Sequence, residues 1–125
     1  MAKQHGPRFE ALVAEAKLRV KEIAPQDVLA MISANKSFVL IDTREESEWA
    51  VDHLPKAVHL SKGVIERDIE ESYPVLDQLI VIYCGGGYRS ALASDNLQRM
   101  GYTNIRSMAG GVRGWRDLGY LMEKP

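Results

Sequence analysis

The spacing of hydrophobic positions near the start of the chain follows the period of an α-helix. Over residues 8–23, apolar residues recur every three or four positions, with charged residues between them. This spacing places them on one face and predicts an amphipathic first helix. The residues on that face are Phe9, Leu12, Val13, Ala16, Val20 and Ile23. Pro25 suits the first position of a second helix, which we expect to end near Asn35. The pattern predicts that both helices precede the first strand.

Short apolar runs alternate with helical or polar stretches along the rest of the chain. The run 38–41 stops at the polar segment 42–44, as expected for a strand buried on both faces. Further strands are predicted over 57–60, 79–83 and 104–108, and helices over 45–51, around 65–69, over 90–100 and after residue 111. Because strands alternate with helices, the chain is predicted to form an α/β fold around a mostly parallel sheet.

Three of the predicted strands end in residues that suggest a function. Asp-Thr-Arg at 42–44 follows the first strand, the segment 84–89 follows the strand over 79–83, and two glycines at 110–111 follow the last. Ligands of open parallel sheets bind outside the carboxyl ends of the strands. We therefore expect a functional site where these strand ends lie together.

The segment after the strand over 79–83 contains the only cysteine of the chain. Its residues are Cys84, Gly85, Gly86, Gly87, Tyr88, Arg89 and Ser90. Glycines let the backbone curl tightly around an anion with its amides pointing inward. A helix that starts at Ser90 would add the positive end of its dipole. These features favour a reactive, negatively charged sulfur over an inert buried cysteine. A persulfide, a phosphocysteine and a mixed disulfide are the covalent states open to such a sulfur.

Composition and charge narrow the function classes. The chain has 125 residues, of which 46% are hydrophobic and 26% charged, and this suits one globular domain. A net charge of -1 argues against nucleic acid or an anionic membrane surface as a partner. One cysteine excludes an intrachain disulfide, and no cluster has metal-ligand spacing, so we expect neither a metal nor an organic cofactor. Since no signal peptide or membrane span of about 20 apolar residues is evident, we expect a cytoplasmic protein.

Four segments of the chain resemble the motifs of one known family. They are 39–49 (VLIDTREESEW), 53–60 (HLPKAVHL), 83–90 (YCGGGYRS) and 110–115 (GGVRGW). In this order and spacing they resemble the single-domain rhodaneses, which are sulfurtransferases. The resemblance implies a rhodanese-like fold with helices on both faces of the sheet, and the helix predicted from the apolar spacing is an extra N-terminal element. We therefore divide the chain into a helical extension over 1–22 and a rhodanese-like domain over 23–125. The extension would pack on the domain or on a second subunit, and it is also long enough to dock a partner.

The resemblance also implies a mechanism. Cys84 would accept a sulfane sulfur from a donor, thiosulfate or a persulfide, and hold it as a persulfide. It would then pass the sulfur to a thiophilic acceptor, cyanide or a thiol. The loop amides of Gly85 through Arg89, with Ser90, would bind the charged sulfur, and Asp42 and Arg44 would support the loop as a buried charge pair. The implied partners are a small sulfur donor and acceptor, or a protein persulfide or protein thiol.

Loop length and loop charge leave alternatives open. From Cys84 through Arg89 the loop has six residues, the length found in sulfurtransferases, whereas phosphatases and arsenate reductases of this fold use a longer loop. A phosphatase or arsenate reductase is the second interpretation, and a non-catalytic module that senses persulfide or binds a partner is the third. Thiosulfate-specialised members often carry further cations in the loop, but here only Arg89 is charged. We therefore expect donor recognition to lie outside the loop.

Overall fold

A computed structural model describes residues 4–125 of the chain, so residues 1–3 of the predicted extension lie outside the described residues. Five strands form one sheet in the spatial order β1-β5-β4-β2-β3, and all neighbouring strands are parallel. The strands are β1 (Glu22–Ile23), β2 (Val39–Asp42), β3 (Val58–His59), β4 (Ile80–Tyr83) and β5 (Ile105–Met108). The helices are α1 (Pro7–Lys17), α2 (Pro25–Ser33), α3 (Glu46–Trp49), α4 (Ile65–Ser72), α5 (Tyr88–Arg99) and α6 (Gly111–Asp117). The predicted α/β class with a mostly parallel sheet is confirmed.

The core lies on both faces of the sheet, because successive side chains of a strand point to opposite sides. Ile80 and Ile82 of β4 pack on one face with residues of α4 and α5. Val81 and Tyr83 of the same strand pack on the other face with residues of α2 and α6. Helices therefore cover both faces, as expected, and this explains why β4 is apolar at every position.

The prediction that two helices precede the first strand is wrong. The first helix ends at Lys17, and β1 follows at Glu22 and Ile23, before α2. The strand pairs with β5. The N–H groups of Ser107 in β5 and of Ala109, just after it, donate to the carbonyl oxygens of Lys21 and Ile23 at 3.0 and 2.9 Å. A helix and a short edge strand both favour apolar side chains here. The local pattern could not separate them, because the pairing partner lies far along the chain.

Other element boundaries shift for identifiable reasons. Helix α5 begins at Tyr88 rather than Ser90, because Gly87 adopts a φ of 94° and turns the chain directly into the helix. Strand β3 is shorter than the predicted 57–60: it has two residues and lies at the edge of the sheet, where it pairs with β2 alone. Helix α4 continues to Ser72 and buries Ile65 and Ile69.

The N-terminal helix α1 packs on α5. Val13 and Ala16 of α1 are buried. Arg19, just after the helix, donates from Nε and Nη2 to the carboxylate of Asp95 in α5 at 2.9 and 2.7 Å. These hydrogen bonds hold the pKa of Asp95 below its usual value, although burial acts in the opposite direction. The extension is thus attached to the helix that begins at the cysteine loop.

Two further observations concern residues 4–125 as a whole. No helix in this range is both long and apolar enough to cross a membrane. Within the same range, no three His, Cys, Asp or Glu residues form a group that could hold a metal ion.

Helix α6 contacts the cysteine loop backbone to backbone. The N–H groups of Val112 and Arg113 donate to the carbonyl oxygens of Cys84 and Gly85 at 2.8 and 3.0 Å. Gly111 has a φ of 54°, and a Cβ on it would lie 2.7 Å from the carbonyl carbon and oxygen of Gly85. A side chain at position 111 would therefore separate α6 from the loop.

We expect Gly111→Ala to reduce the free energy of unfolding by about 2–5 kcal/mol. The variant would combine an unfavourable left-handed conformation with overlap against backbone that cannot move aside. Gly119→Ala is the matched control, because Gly119 also has a positive φ, of 77°, but has open space around it. The control should lose only about 1–2 kcal/mol. Urea denaturation measures both, and equal losses would contradict the close-approach argument.

We expect Asp95→Asn to lower the urea midpoint at pH 7, because it removes the carboxylate that binds Arg19. The pKa of Asp95 is lowered in the fold, so its ion pair stabilises the protein above the usual value of 3.8 and is lost as the pH falls below it. The difference between wild type and variant should therefore shrink toward pH 3. Asp77→Asn, at an exposed aspartate, is the control and should show little difference at either pH.

Candidate active site

Cys84 lies directly after β4, with its sulfur surrounded by backbone donors. The N–H groups of Gly87 and Ser90 point to Sγ, with N···S distances of 3.1 and 3.4 Å. Cys84 is 1% exposed. A Cβ on Gly87 would lie 3.2 Å from the backbone nitrogen of Gly110, so the turn that aims these donors depends on glycine. The arrangement favours negative charge on the sulfur.

Two buried hydroxyl groups extend the surroundings of the sulfur. Ser90 Oγ lies 3.5 Å from Cys84 Sγ and 2.8 Å from Ser107 Oγ of β5. A thiol can donate to Ser90, whereas a thiolate requires Ser90 to donate and to accept from Ser107 in turn. Sequence reasoning missed Ser107. In the sequence, Ser107 is only a small polar residue within a predicted strand, and the neighbouring residues do not indicate that it faces Ser90.

Arg89 lies across the loop and is paired with a glutamate. Its Nη1 donates to Glu48 Oε1 at 2.8 Å, and its Nη2 to Oε2 at 3.3 Å. This pair raises the pKa of Arg89 and holds the pKa of Glu48 below its usual range, while burial opposes both changes. Glu48 belongs to the capping box that begins α3, which fixes its position opposite the loop. The one cation of the loop is therefore already compensated.

Asp42 and Arg44 lie below the loop and do not contact the sulfur. Arg44 Nη2 donates to Asp42 Oδ2 at 2.9 Å and to the carbonyl oxygen of Asp52 at 2.6 Å, and both side chains are buried. Burial disfavours the charged form of Arg44, but Asp42 outweighs it and raises the pKa of Arg44. Thr43, between them, donates from its N–H and its hydroxyl to the carbonyl oxygen of Tyr83, each at 2.9 Å. This segment holds the end of β4 from which the loop starts.

A cavity of about 350 Å³ opens above Cys84. Seven further residues line it: His5, Phe9, Gly85, Gly86, Tyr88, Arg89 and Arg113. Sequence reasoning did not place His5, Phe9 or Arg113 at the site. Arg113 lies in the segment 110–115, which resembles a family motif, but the sequence did not indicate that its charge lies at the cavity of Cys84. No sequence signal connects the N-terminal segment with residue 84.

The structure brings most of the predicted site residues together. Cys84 and the residues from Gly85 to Ser90 form one compact loop, and Asp42 and Arg44 lie at the end of the neighbouring strand. The catalytic and binding roles assigned to these residues stay predictions, as does the division of the chain at residue 22. Chemically, the site can stabilise an anionic sulfur and admit a small molecule to it.

Comparisons of the sequence identify relatives. A model of the rhodanese-like domain family matches residues 24–118. Thiosulfate sulfurtransferase GlpE of Pseudomonas syringae is 31% identical over 96 residues, which cover 77% of this chain and 87% of that protein. Adenylyltransferase and sulfurtransferase UBA4 of Candida albicans is 32% identical over 101 residues, covering 76% of this chain. The match spans only 23% of the length of UBA4.

A comparison of structures gives a likeness over nearly the whole chain. A protein of unknown function from Rhodopseudomonas palustris, described as a possible tyrosine phosphatase, superposes with a TM-score of 0.84 at 27% identity. The match covers 98% of this chain and 99% of that one, so it includes the region of α1. The family model spans most of the chain, and the resemblance inferred from the four segments is confirmed. The chain belongs to the family of rhodanese-like domains.

Proposed function

We propose that this protein is a sulfurtransferase that carries a sulfane sulfur on Cys84 as a persulfide. The observation that carries the proposal is the pair of N–H groups, from Gly87 and Ser90, at 3.1 and 3.4 Å from Sγ. The same sulfur lies at a cavity of about 350 Å³. A nucleophilic sulfur there has donors that stabilise negative charge and is accessible to a small donor.

In the first step, the Cys84 thiolate attacks the sulfane sulfur of the donor. With thiosulfate, a new S–S bond forms to Sγ, and the bond between the sulfane sulfur and the sulfonate breaks. The electron pair of that bond leaves with sulfite, which takes up the charge of the thiolate. The outer sulfur of the persulfide keeps the negative charge that it had in thiosulfate.

In the second step, an acceptor attacks the outer sulfur. Cyanide forms a C–S bond and leaves as thiocyanate, whereas a thiolate forms a new persulfide. In both cases the electron pair of the S–S bond returns to Cys84 as thiolate. No external oxidant or reductant is needed for either step.

The backbone of the loop is oriented for these charges. The carbonyl groups of Cys84 and Gly85 point to α6, where Val112 and Arg113 donate to them. Because the N–H of a trans peptide points away from its C=O, the N–H groups of Gly85 and Gly86 point away from α6. An outer sulfur in the cavity would lie near these residues, which line it. Fixed donors of this kind lower a barrier by about 3 kcal/mol each.

The names of the relatives support the same class of reaction. GlpE and UBA4 are both named sulfurtransferases. We extend the proposal to a thiol acceptor, either a small thiol or a protein thiol, with cyanide as a laboratory acceptor. GlpE, which is named a thiosulfate sulfurtransferase, supports thiosulfate as the donor to test first, although the bare glycines of the loop offer it little recognition.

A phosphatase or arsenate reductase is the second candidate. It is favoured by the likeness to the structure described as a possible tyrosine phosphatase. The six-residue loop disfavours it, because a smaller ring leaves less room for a tetrahedral oxyanion than for one sulfur atom. A chromogenic phosphate ester distinguishes the two: turnover of the ester without sulfur transfer would reverse the order of the candidates.

We expect wild-type protein to gain the mass of one sulfur atom on incubation with thiosulfate or an organic persulfide, and to lose it on reduction. Cys84→Ser should show neither this gain nor sulfur transfer to cyanide, because a hydroxyl does not form the persulfide. Intact-mass spectrometry measures the first property and thiocyanate formation the second. Full activity of the serine variant would disprove the proposal.

We expect Ser90→Ala to slow sulfur transfer by about 10–100-fold, because it removes a hydroxyl that donates to a charged sulfur, an interaction of about 1.5–3 kcal/mol. Ser94→Ala is the matched control. Ser94 lies one turn later on α5 and is buried, and its Oγ has no hydrogen-bond partner among the described atoms. The control should keep the wild-type rate. If both variants transfer sulfur equally fast, the hydroxyl at position 90 has no part in stabilising the sulfur.

A further inference from the structure

The N-terminal segment forms one wall of the cavity that contains Cys84. Phe9 of α1 and His5, just before the helix, line the cavity together with Tyr88 of α5. The ring centroids of His5 and Tyr88 are 4.5 Å apart, and those of Phe9 and Tyr88 are 5.7 Å apart. We call His5, Phe9 and Tyr88 the aromatic wall. It presents an apolar surface directly beside the reactive loop.

Arg113 of α6 supplies the free positive charge of the cavity. Its Nη1 lies 3.6 Å from the position of a Cβ on Gly86, so the guanidinium lies over the loop. Among residues 4–125, no carboxylate forms an ion pair with Arg113. Arg89, by contrast, is neutralised by Glu48 at 2.8 Å. An anionic group that enters the cavity would therefore meet Arg113 as its uncompensated partner.

We propose that the aromatic wall and Arg113 bind the organic part of the sulfur donor, which is a small persulfide that carries a carboxylate. This inference rests on the proposed function, because it assigns the donor of the same site. The methylene groups and amide planes of such a donor would pack on the rings of the aromatic wall, and its carboxylate would pair with Arg113. A cavity of about 350 Å³ is in the range of small-molecule sites. Thiosulfate has no apolar part that could use the aromatic wall.

The depth of the sulfur favours a small donor over a protein persulfide. Cys84 is 1% exposed, and the N-terminal segment stands beside it as an additional wall. A cysteine on a folded partner would need an extended loop to reach Sγ past Phe9 and Tyr88. A small persulfide would enter between the aromatic wall and Arg113.

The transfer from such a donor balances without a further reactant. The Cys84 thiolate attacks the outer sulfur of the persulfide R–S–SH and forms the new S–S bond. The S–S bond of the donor breaks, and its electron pair leaves with the thiolate R–S⁻. The proton stays on the transferred sulfur, so the first product is the neutral persulfide. The released thiolate or water then takes this proton, and the loop N–H groups stabilise the anion that remains.

The test compares three donors in single-turnover reactions, with the persulfide mass on Cys84 as the readout. The donors are thiosulfate, glutathione persulfide, and the persulfide of glutathione diethyl ester, which has the same body without free carboxylates. We expect Phe9→Ala and His5→Ala to lower the rate ratio of glutathione persulfide to thiosulfate, by about tenfold for Phe9→Ala. His5 precedes α1, so its substitution does not disturb the helix. Leu12→Ala, at an exposed residue of α1 that does not line this cavity, should leave the ratio unchanged.

Arg113→Gln tests the carboxylate contact separately. We expect it to lower the rate ratio of glutathione persulfide to its diethyl ester by about tenfold, because only the free acid can pair with the guanidinium. Arg99→Gln, at an exposed arginine that does not line this cavity, is the control.

Three results would overturn the inference. One is that wild type takes sulfur from thiosulfate but from neither glutathione-based donor, as expected if the donor is a protein. Another is that Phe9→Ala and His5→Ala leave the first ratio unchanged. The third is that Arg113→Gln slows the ester as much as the acid. If wild type forms no persulfide with any of the donors, the proposed sulfurtransferase function itself fails.

Discussion

The backbone contact between α6 and the cysteine loop is the constraint on which the site depends. The carbonyl groups of Cys84 and Gly85 are occupied by N–H groups of α6, and Gly111 permits an approach that any side chain would prevent. Because these two carbonyl groups point toward α6, the N–H groups of the same peptide bonds point away from α6. Helix α6 therefore orients the loop N–H groups through its backbone, although none of its side chains forms a hydrogen bond with the sulfur.

Among the described residues around the loop, some charged side chains form ion pairs with each other, whereas Arg113 forms none. Asp42 with Arg44 and Glu48 with Arg89 are paired, and these pairs fix the strand end and the loop in place. Buried or half-buried ions need such partners, since an unpaired charge is costly to desolvate. Arg113 remains exposed at the cavity. The positions that stabilise the fold are thus separate from the position that is free to attract an anionic ligand.

Much of the fold was predictable because it follows from local chemistry. The run at β4 is apolar at every position and stops at Cys84, which marks a central strand and its functional end. The first helix shows the limit of such reasoning. Its apolar period continues through Ile23, but the chain forms β1 there, because β5 offers backbone hydrogen bonds that no local pattern reveals. The predicted start of α5 at Ser90 is also wrong, because the turn conformation of Gly87 brings Tyr88 and Arg89 into the helix.

The amino-acid sequence by itself predicted a tight loop after β4, because a lone cysteine, three glycines and an arginine within six residues favour a backbone that curls around an anion. It also determined the α/β class through the alternation of apolar runs and helices. Only the tertiary structure decided what surrounds the sulfur. Ser107 of β5 forms a hydrogen bond with Ser90 of α5, and Glu48 forms an ion pair with Arg89. His5 and Phe9 lie beside Tyr88 because α1 packs on α5. These contacts join residues that are distant in the chain, and their partners are set by packing rather than by any local preference.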